Sequence, residues 1–195
     1  MSAARLVVLV SGNGSNLQAV LDGCASGELR AQVVAVISDK PDAFGLERAR
    51  RAGIPAVAQP KLATQDRAAY DSALAAQVAT FKPDWIVLAG WMRLLSAKLL
   101  DRFPGQVINL HPALPEMFPG THAIERALDA YQRGEIACTG VMVHLVPDEG
   151  VDCGPVLAQQ VVAIEPNDSL ETLAARIHAT EHNLLVSTLN SLVTH

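Results

Sequence analysis

The chain has 195 residues, of which 50% are hydrophobic, 18% charged and 4% aromatic. That length buries a core without disulfide staples, and the composition is too apolar for a disordered chain. Fifteen Lys and Arg against 20 Asp and Glu leave a net charge of −5, which argues against coating a nucleic acid but not against one small phosphorylated ligand met by a local site.

Residues 5–10 form a β-branched and Leu run that ends at Ser11-Gly12. Such a run predicts a strand buried on both faces, as in a parallel sheet. Residues 15–25 carry apolar positions at helical spacing. The pattern repeats with a strand over 33–37, a helix over 44–52 stopped by Gly53, a short strand over 55–58 and a helix over 66–81. Further strands are predicted over 85–89 and 106–109. Alternating strands and helices imply right-handed βαβ units and an open parallel α/β sheet, expected as one domain over 1–195. After Asn109 the pattern changes: a Pro-rich loop over 111–120, a helix over 124–131, and strands over 139–146 and 156–164 with antiparallel spacing. A closing helix over 169–192 has Asp168 or Ser169 as its N-cap.

The three cysteines, odd in number and widely spaced (Cys24, Cys138, Cys153), suggest neither a disulfide framework nor a zinc site, which fits a cytoplasmic setting. No signal-peptide pattern and no run of about 18 apolar residues is present, so no membrane association is expected.

Ligands of open α/β sheets bind at the carboxyl ends of the strands. Ser11-Gly12-Asn13-Gly14-Ser15-Asn16 lies at such an end, just before a helix. Two glycines let the backbone approach an anion, and the helix start offers free N–H groups. Leu17 stands where a dinucleotide fingerprint needs its third glycine, so a single phosphate is preferred. Asp39 reads as a strand-end cap or turn residue. At the fifth strand's end, Asn109 and His111 alternate onto one side. Histidine can donate a proton near neutral pH, and an Asn amide is a neutral donor for a carbonyl oxygen gaining charge. No Ser or Cys nucleophile stands beside them. The acidic loop 148–155 could bring a carboxylate to His111. Gly90 to Leu95 could wall a flat heterocycle. On residues alone each segment also has a plainer reading: a tight turn with a polar helix cap at Ser11 to Asn16, a histidine capping a turn at His111, a solvated acidic loop at 148–155 and ordinary core packing at Gly90 to Leu95. His144 reads as a satisfied core histidine, and His178 with His182 lacks a third metal ligand.

Taken together, the segments Ser11 to Gln18, Ala43 to Ala49, Leu88 to Arg93, Asn109-Leu110-His111-Pro112, Phe118-Pro119-Gly120 and Asp148 to Pro155 resemble the phosphoribosylglycinamide formyltransferases, folate-dependent enzymes of purine synthesis. The resemblance runs from Leu6 to about Leu185. It implies a Rossmann-like, mainly parallel sheet flanked by helices and extended by antiparallel C-terminal strands. It implies formyl transfer from 10-formyltetrahydrofolate to the amine of 5-phosphoribosylglycinamide, without a metal. Under it, Asn109 and His111 flank the formyl group and Asp152 raises the pKa of His111. Gly14, Ser15, Asn16, Leu17 and Gln18 bind the ribonucleotide, and His178, Ala179, Thr180 and Glu181 hold its glycinamide end. Arg67, Met92, Arg93, Leu94, Leu95, Asn109, Pro147, Asp148, Glu149, Gly150, Val151 and Asp152 bind the folate. The partners expected are small molecules, with no nucleic acid, and the protein is a monomer or homodimer.

Two departures stand out. Where this family usually reads His-Pro-Ser-Leu-Leu-Pro, this chain has His111-Pro112-Ala113-Leu114-Pro115-Glu116, and Cys153 follows the key aspartate. Other readings predict other features. A formyltetrahydrofolate hydrolase or a methionyl-tRNA formyltransferase is expected to carry a further domain, which this length does not accommodate. A nucleotide-binding oxidoreductase needs glycine in place of Leu17. In a non-catalytic ligand-binding module, His111 is only a cap.

Overall fold

The structure is a computed structural model and describes residues 3–194. Residues 1, 2 and 195 of the expected 1–195 unit lie outside the described residues. Five parallel strands, β1 (Ala4–Val10), β2 (Ala31–Ser38), β3 (Ala56–Ala58), β4 (Trp85–Leu88) and β5 (Val107–His111), are followed by β6 (Cys138–Leu145) and β7 (Val156–Ala163), each antiparallel to its predecessor. They form one sheet in the order β3-β2-β1-β4-β5-β6-β7. The helices are α1 (Ser15–Ser26), α2 (Phe44–Arg51), α3 (Arg67–Thr80), α4 (Ala97–Leu100), α5 (Ala123–Gln132) and α6 (Leu170–Val193).

The central strands are buried on both sides because alternate residues feed two cores. Leu6, Val8 and Val10 of β1 join Leu17, Val20, Ile177 and Leu185 of α1 and α6. Val7 and Leu9 join Tyr70 and Leu74 of α3 on the opposite face. β5 divides the same way: Ile108 and Leu110 enter the α1/α6 core, while Val107 enters the other. Asn109 and His111 continue that second face, beyond the apolar layer.

The expected elements are all present, with ends shifted by one to two residues in most cases. β5 runs on to His111 because its pairing with β6 continues to His111↔Met142. The single-turn helix α4 was not anticipated, since four residues carry no periodicity. Among the described residues, no helix is long and apolar enough to cross a membrane.

Of the two proposed caps of α6, Ser169 is the N-cap. Its hydroxyl accepts from the Thr172 amide, and the Thr172 hydroxyl accepts from the Ser169 amide in return, a capping box. Asp168 is held instead by the Arg176 guanidinium at 2.6 and 2.9 Å, which keeps its carboxyl well below the usual range. Ser169→Ala is expected to cost about 1 kcal/mol. At this chain length that lowers Tm by about 2–4 °C. Thermal unfolding followed by circular dichroism checks it, and an unchanged Tm would show the cap to be redundant.

Candidate active site

The chain crosses back over the sheet between β3 and β4, which makes the carboxyl edge of β1 and β4 a topological switch point. Three loops are tied together there. The Ser11 amide donates to the Gly90 carbonyl (3.0 Å), and its hydroxyl donates to Asp39 (2.7 Å) while accepting from the Met92 amide (2.9 Å). Asp39 also faces Arg93 at 3.8 Å, and the Arg93 guanidinium lies 5.1 Å over the Tyr70 ring. Asp39 is therefore a strand-end brace, in keeping with its reading as a cap. The Tyr70 phenol is pushed up to about 12, first by burial and then by Asp39.

Beside this edge, register fixes the chemistry. Directly opposed residues of an antiparallel pair share a face. The Asn109↔His144 pair and the neighbouring His111 therefore project together. A β-bulge at Val143/His144 breaks the β6–β7 ladder beside them. From the loop after β6, Asp152 closes the group. Its backbone is left-handed (φ 51), a conformation that Asp and Asn tolerate better than other side chains.

Both Asp152 oxygens are engaged. Oδ1 accepts from Asn109 Nδ2 (2.9 Å), and Oδ2 accepts from the Gly120 amide (2.8 Å) and lies 3.3 Å from His111 Nδ1. Asn109 Nδ2 also stands 3.1 Å from His144 Nε2. His111 Nε2 lies 3.1 Å from the Phe118 carbonyl, which takes a second bond from Arg126 (2.6 Å). His111 is only 3% exposed.

Burial pulls the His111 imidazole below its ordinary range, against the upward pull of Asp152 and the Phe118 carbonyl. This corrects the expectation of a raised value: Asp152 acts in the expected direction, but desolvation outweighs it. Burial pushes the Asp152 carboxyl up. Its neighbours, the Gly120 amide and His111 among them, overcome this and hold it below the usual carboxylate range.

A cavity of about 710 Å³ opens over this cluster, within the range of small-molecule sites. Asn109, His111, His144 and Asp152 line it, as do Met92, Arg93, Leu94, Leu95, Asp148, Glu149, Gly150 and Val151. Met92, Leu94 and Val151 are exposed apolar side chains at this one place. Two expected folate residues do not line it. Arg67 forms an ion pair with Glu149, whose other oxygen accepts from the Ala97 amide (2.9 Å), and Pro147 lies beside the lining.

The expected phosphate segment is elsewhere, at the start of α1. Gly14 (φ 75) is the N-cap, and a Cβ there would stand 2.8 Å from Gly45 Cα. Arg48 braces the loop through the Asn13 carbonyl (2.9 Å), Asn13 Oδ1 (2.9 Å) and Gln18 Oε1 (3.1 Å). The opening amides of Ser15, Asn16 and Leu17 lie in the first turn, where no intrahelical acceptor is available. The Leu17 side chain is fully buried, which leaves only its backbone for a ligand. Asn16 Oδ1 is buried without a partner among the described residues. Ala179 and Thr180 lie on α6 between His178 and Glu181, and α6 packs against α1. Glu181 is buried and hydrogen-bonds His178 at 2.7 Å, which raises the His178 pKa. None of these residues lines the cavity over His111.

Sequence reasoning missed His144, Arg126 and the Phe118 carbonyl. Only the β5–β6 register brings His144 to Asn109, and nothing within Val141 to Leu145 signals it. Of the departures, Ala113 is fully buried and Cys153 is exposed, and neither lines the cavity. Among the described residues, no group of three or more His, Cys, Asp or Glu is placed to hold a metal.

Residues 4–189 match the formyl transferase family. The chain is 44% identical to the phosphoribosylglycinamide formyltransferase of Schizosaccharomyces pombe, over 98% of this chain and 98% of that protein. It is 42% identical to the enzyme of that name from Escherichia coli, over 91% of this chain and 82% of that one. Its fold superposes with a TM-score of 0.93 on the crystal structure of glycinamide ribonucleotide transformylase 1 from Symbiobacterium toebii. That match is 40% identical and covers 99% of this chain and 89% of the other.

Proposed function

The chain belongs to the formyl transferase family and has the phosphoribosylglycinamide formyltransferase activity of purine synthesis; we propose that 10-formyltetrahydrofolate is the donor and that His111, Asn109 and Asp152 carry the transfer. The observation that supports this reading is the joint placement of Asn109 and His111 on one strand face, tied to Asp152, on the lining of the cavity with apolar Met92, Leu94 and Val151. Those apolar side chains suit a flat heterocycle, which aliphatic surface can hold where aromatic residues are scarce.

The transfer is direct. The substrate amine attacks the formyl carbon, and a C–N bond forms as the carbonyl becomes an alkoxide. Collapse of this adduct breaks the bond to the folate nitrogen, which takes up a proton while the attacking nitrogen loses one. His111 turns its Nε2–H from the Phe118 carbonyl to the oxyanion, and Arg126 keeps that carbonyl satisfied when His111 leaves it. Asp152 orients the ring and favours its charged form. Formation of tetrahydrofolate, followed with and without phosphoribosylglycinamide, tests the reading. Release that does not depend on the amine would mean hydrolysis, and no release would end the assignment.

On the same reading the α1 start holds the ribonucleotide phosphate, with Glu181 and residues 178–180 toward its glycinamide end. The positive φ of Gly14 and its approach to Gly45 leave no room for a side chain. Gly14→Ala is therefore expected to raise KM for phosphoribosylglycinamide by about tenfold or more, equivalent to at least about 1.4 kcal/mol, with little change in KM for the folate. Equal effects on both constants would place the phosphate elsewhere.

A further inference from the structure

Asn109 has two amide protons and one carbonyl oxygen to place. An ionised carboxylate only accepts, so the end of the amide 2.9 Å from Asp152 Oδ1 is the NH2 group. Its second proton points to His144 Nε2 at 3.1 Å, and that nitrogen must be bare to receive it. The other ring nitrogen of His144, Nδ1, stands 2.8 Å from the Leu145 carbonyl oxygen. A bare Nδ1 would set two lone pairs against each other there, so Nδ1 carries the proton. A doubly protonated ring fails the same count, because an Nε2–H would face the Asn109 NH2 head-on. Asp152 Oδ1, at 3.6 Å, is too distant to be a hydrogen-bond partner of Nε2. The Leu145 carbonyl thus selects the His144 tautomer, and the tautomer selects the amide orientation. Both Asn109 protons are taken up inside the protein. Its Oδ1 has no partner among the described residues, is not among the enclosed polar atoms, and belongs to a residue lining the cavity.

We infer that His144 is a positioning residue that holds Asn109 with its carbonyl oxygen, not its N–H, toward the reacting centre, where it accepts a hydrogen bond from the attacking amine. This rests on the formyl-transfer reading. It differs from the amide-donor role expected from sequence. With one amine N–H held by Oδ1, the nitrogen lone pair is aimed at the formyl carbon, and stabilising the oxyanion falls to His111.

Two variants and one spectrum test it. Glutamine at 144 can still accept from Asn109 through its Oε1, whereas leucine cannot. His144→Leu is expected to lose on the order of 10²-fold in kcat, the cost of misorienting a reacting group. His144→Gln should stay within a few-fold of the wild type, with circular dichroism showing both folded. Were Asn109 an oxyanion donor, His144→Leu would free a proton for that task, and the rate would hold or rise; that result overturns the inference, as does an equal loss in both variants. Independently of turnover, a long-range 1H–15N spectrum of the protein without substrates should show His144 protonated on Nδ1 alone at pH 7.5. Protonation on Nε2 overturns the assigned orientation. A wild type inactive toward phosphoribosylglycinamide but with the expected spectrum would fail the proposed function and leave the His144–Asn109 orientation standing.

Discussion

His111→Ala should lower kcat by about 10²–10³-fold, the usual cost of deleting one donor to a developing oxyanion, while KM for the folate changes little. The division follows from placement. His111 is one residue of a large cavity wall, so most of the binding surface survives its loss. Its ring has both nitrogens against acceptors, Asp152 Oδ2 and the Phe118 carbonyl. A ring held this way serves as a donor, and alanine removes that donor without disturbing the strand on either side. Steady-state kinetics with both substrates check the result. A near-wild-type kcat would mean that His111 only caps the loop over it.

Asp152→Asn separates charge from shape. Asn tolerates the left-handed backbone at this position, so the loop should keep its course. What disappears is the negative charge that favours the imidazolium of His111. Burial already draws the His111 pKa down, and Asp152 is the strongest influence opposing it. Its loss must therefore move the alkaline limb of the rate profile, where His111 loses its proton, to lower pH and shrink the charged fraction at neutral pH. A profile of kcat/KM against pH that keeps its midpoint would sink this role. Stability should change as well. The amide offers one acceptor where the carboxylate had two, and an unmet buried donor costs about 1–3 kcal/mol. The wild-type Asp152 carboxyl sits below its unfolded value, so its contribution is complete above the ordinary carboxylate range and lost as pH falls through the folded value. His111, also lowered, destabilises the fold as it is forced to charge in acid. The variant should thus be less stable near neutrality, yet shed part of the wild type's acid sensitivity.

How far sequence reached depended on whether information was local. β1, β2 and β4 were legible because strands buried on both sides read as apolar runs, as in Leu6 to Val10, Val33 to Ile37 and Trp85 to Leu88. α6 announced itself through Ser169 and a long periodic face. The pairing of Asn109 with His111 followed from alternation alone. Asp152 joined them only through resemblance, since its reach to His111 depends on a loop path and a positive φ that spacing does not encode. His144 is the satisfied core histidine its apolar strand suggested, but its tie to Asn109 stays hidden until β6 is set antiparallel to β5 in one register. The direction of the His111 shift was missed for a related reason: a sequence shows the nearby carboxylate but not the depth of burial.

The two-sided partition of β5 also bears on how this protein can change over evolutionary time. Residues 107, 109 and 111 serve one side, and 108 and 110 the other. Inserting or deleting a single residue within the strand would exchange the two sets. Ile108 and Leu110 would then face the reacting centre, and Asn109 and His111 the α1/α6 interior. Loss of folding and loss of chemistry would arrive in one step, with no partly functional intermediate for selection to improve. Length variation among descendants of this chain should therefore collect in the loop at 112–122 and spare the five residues before it.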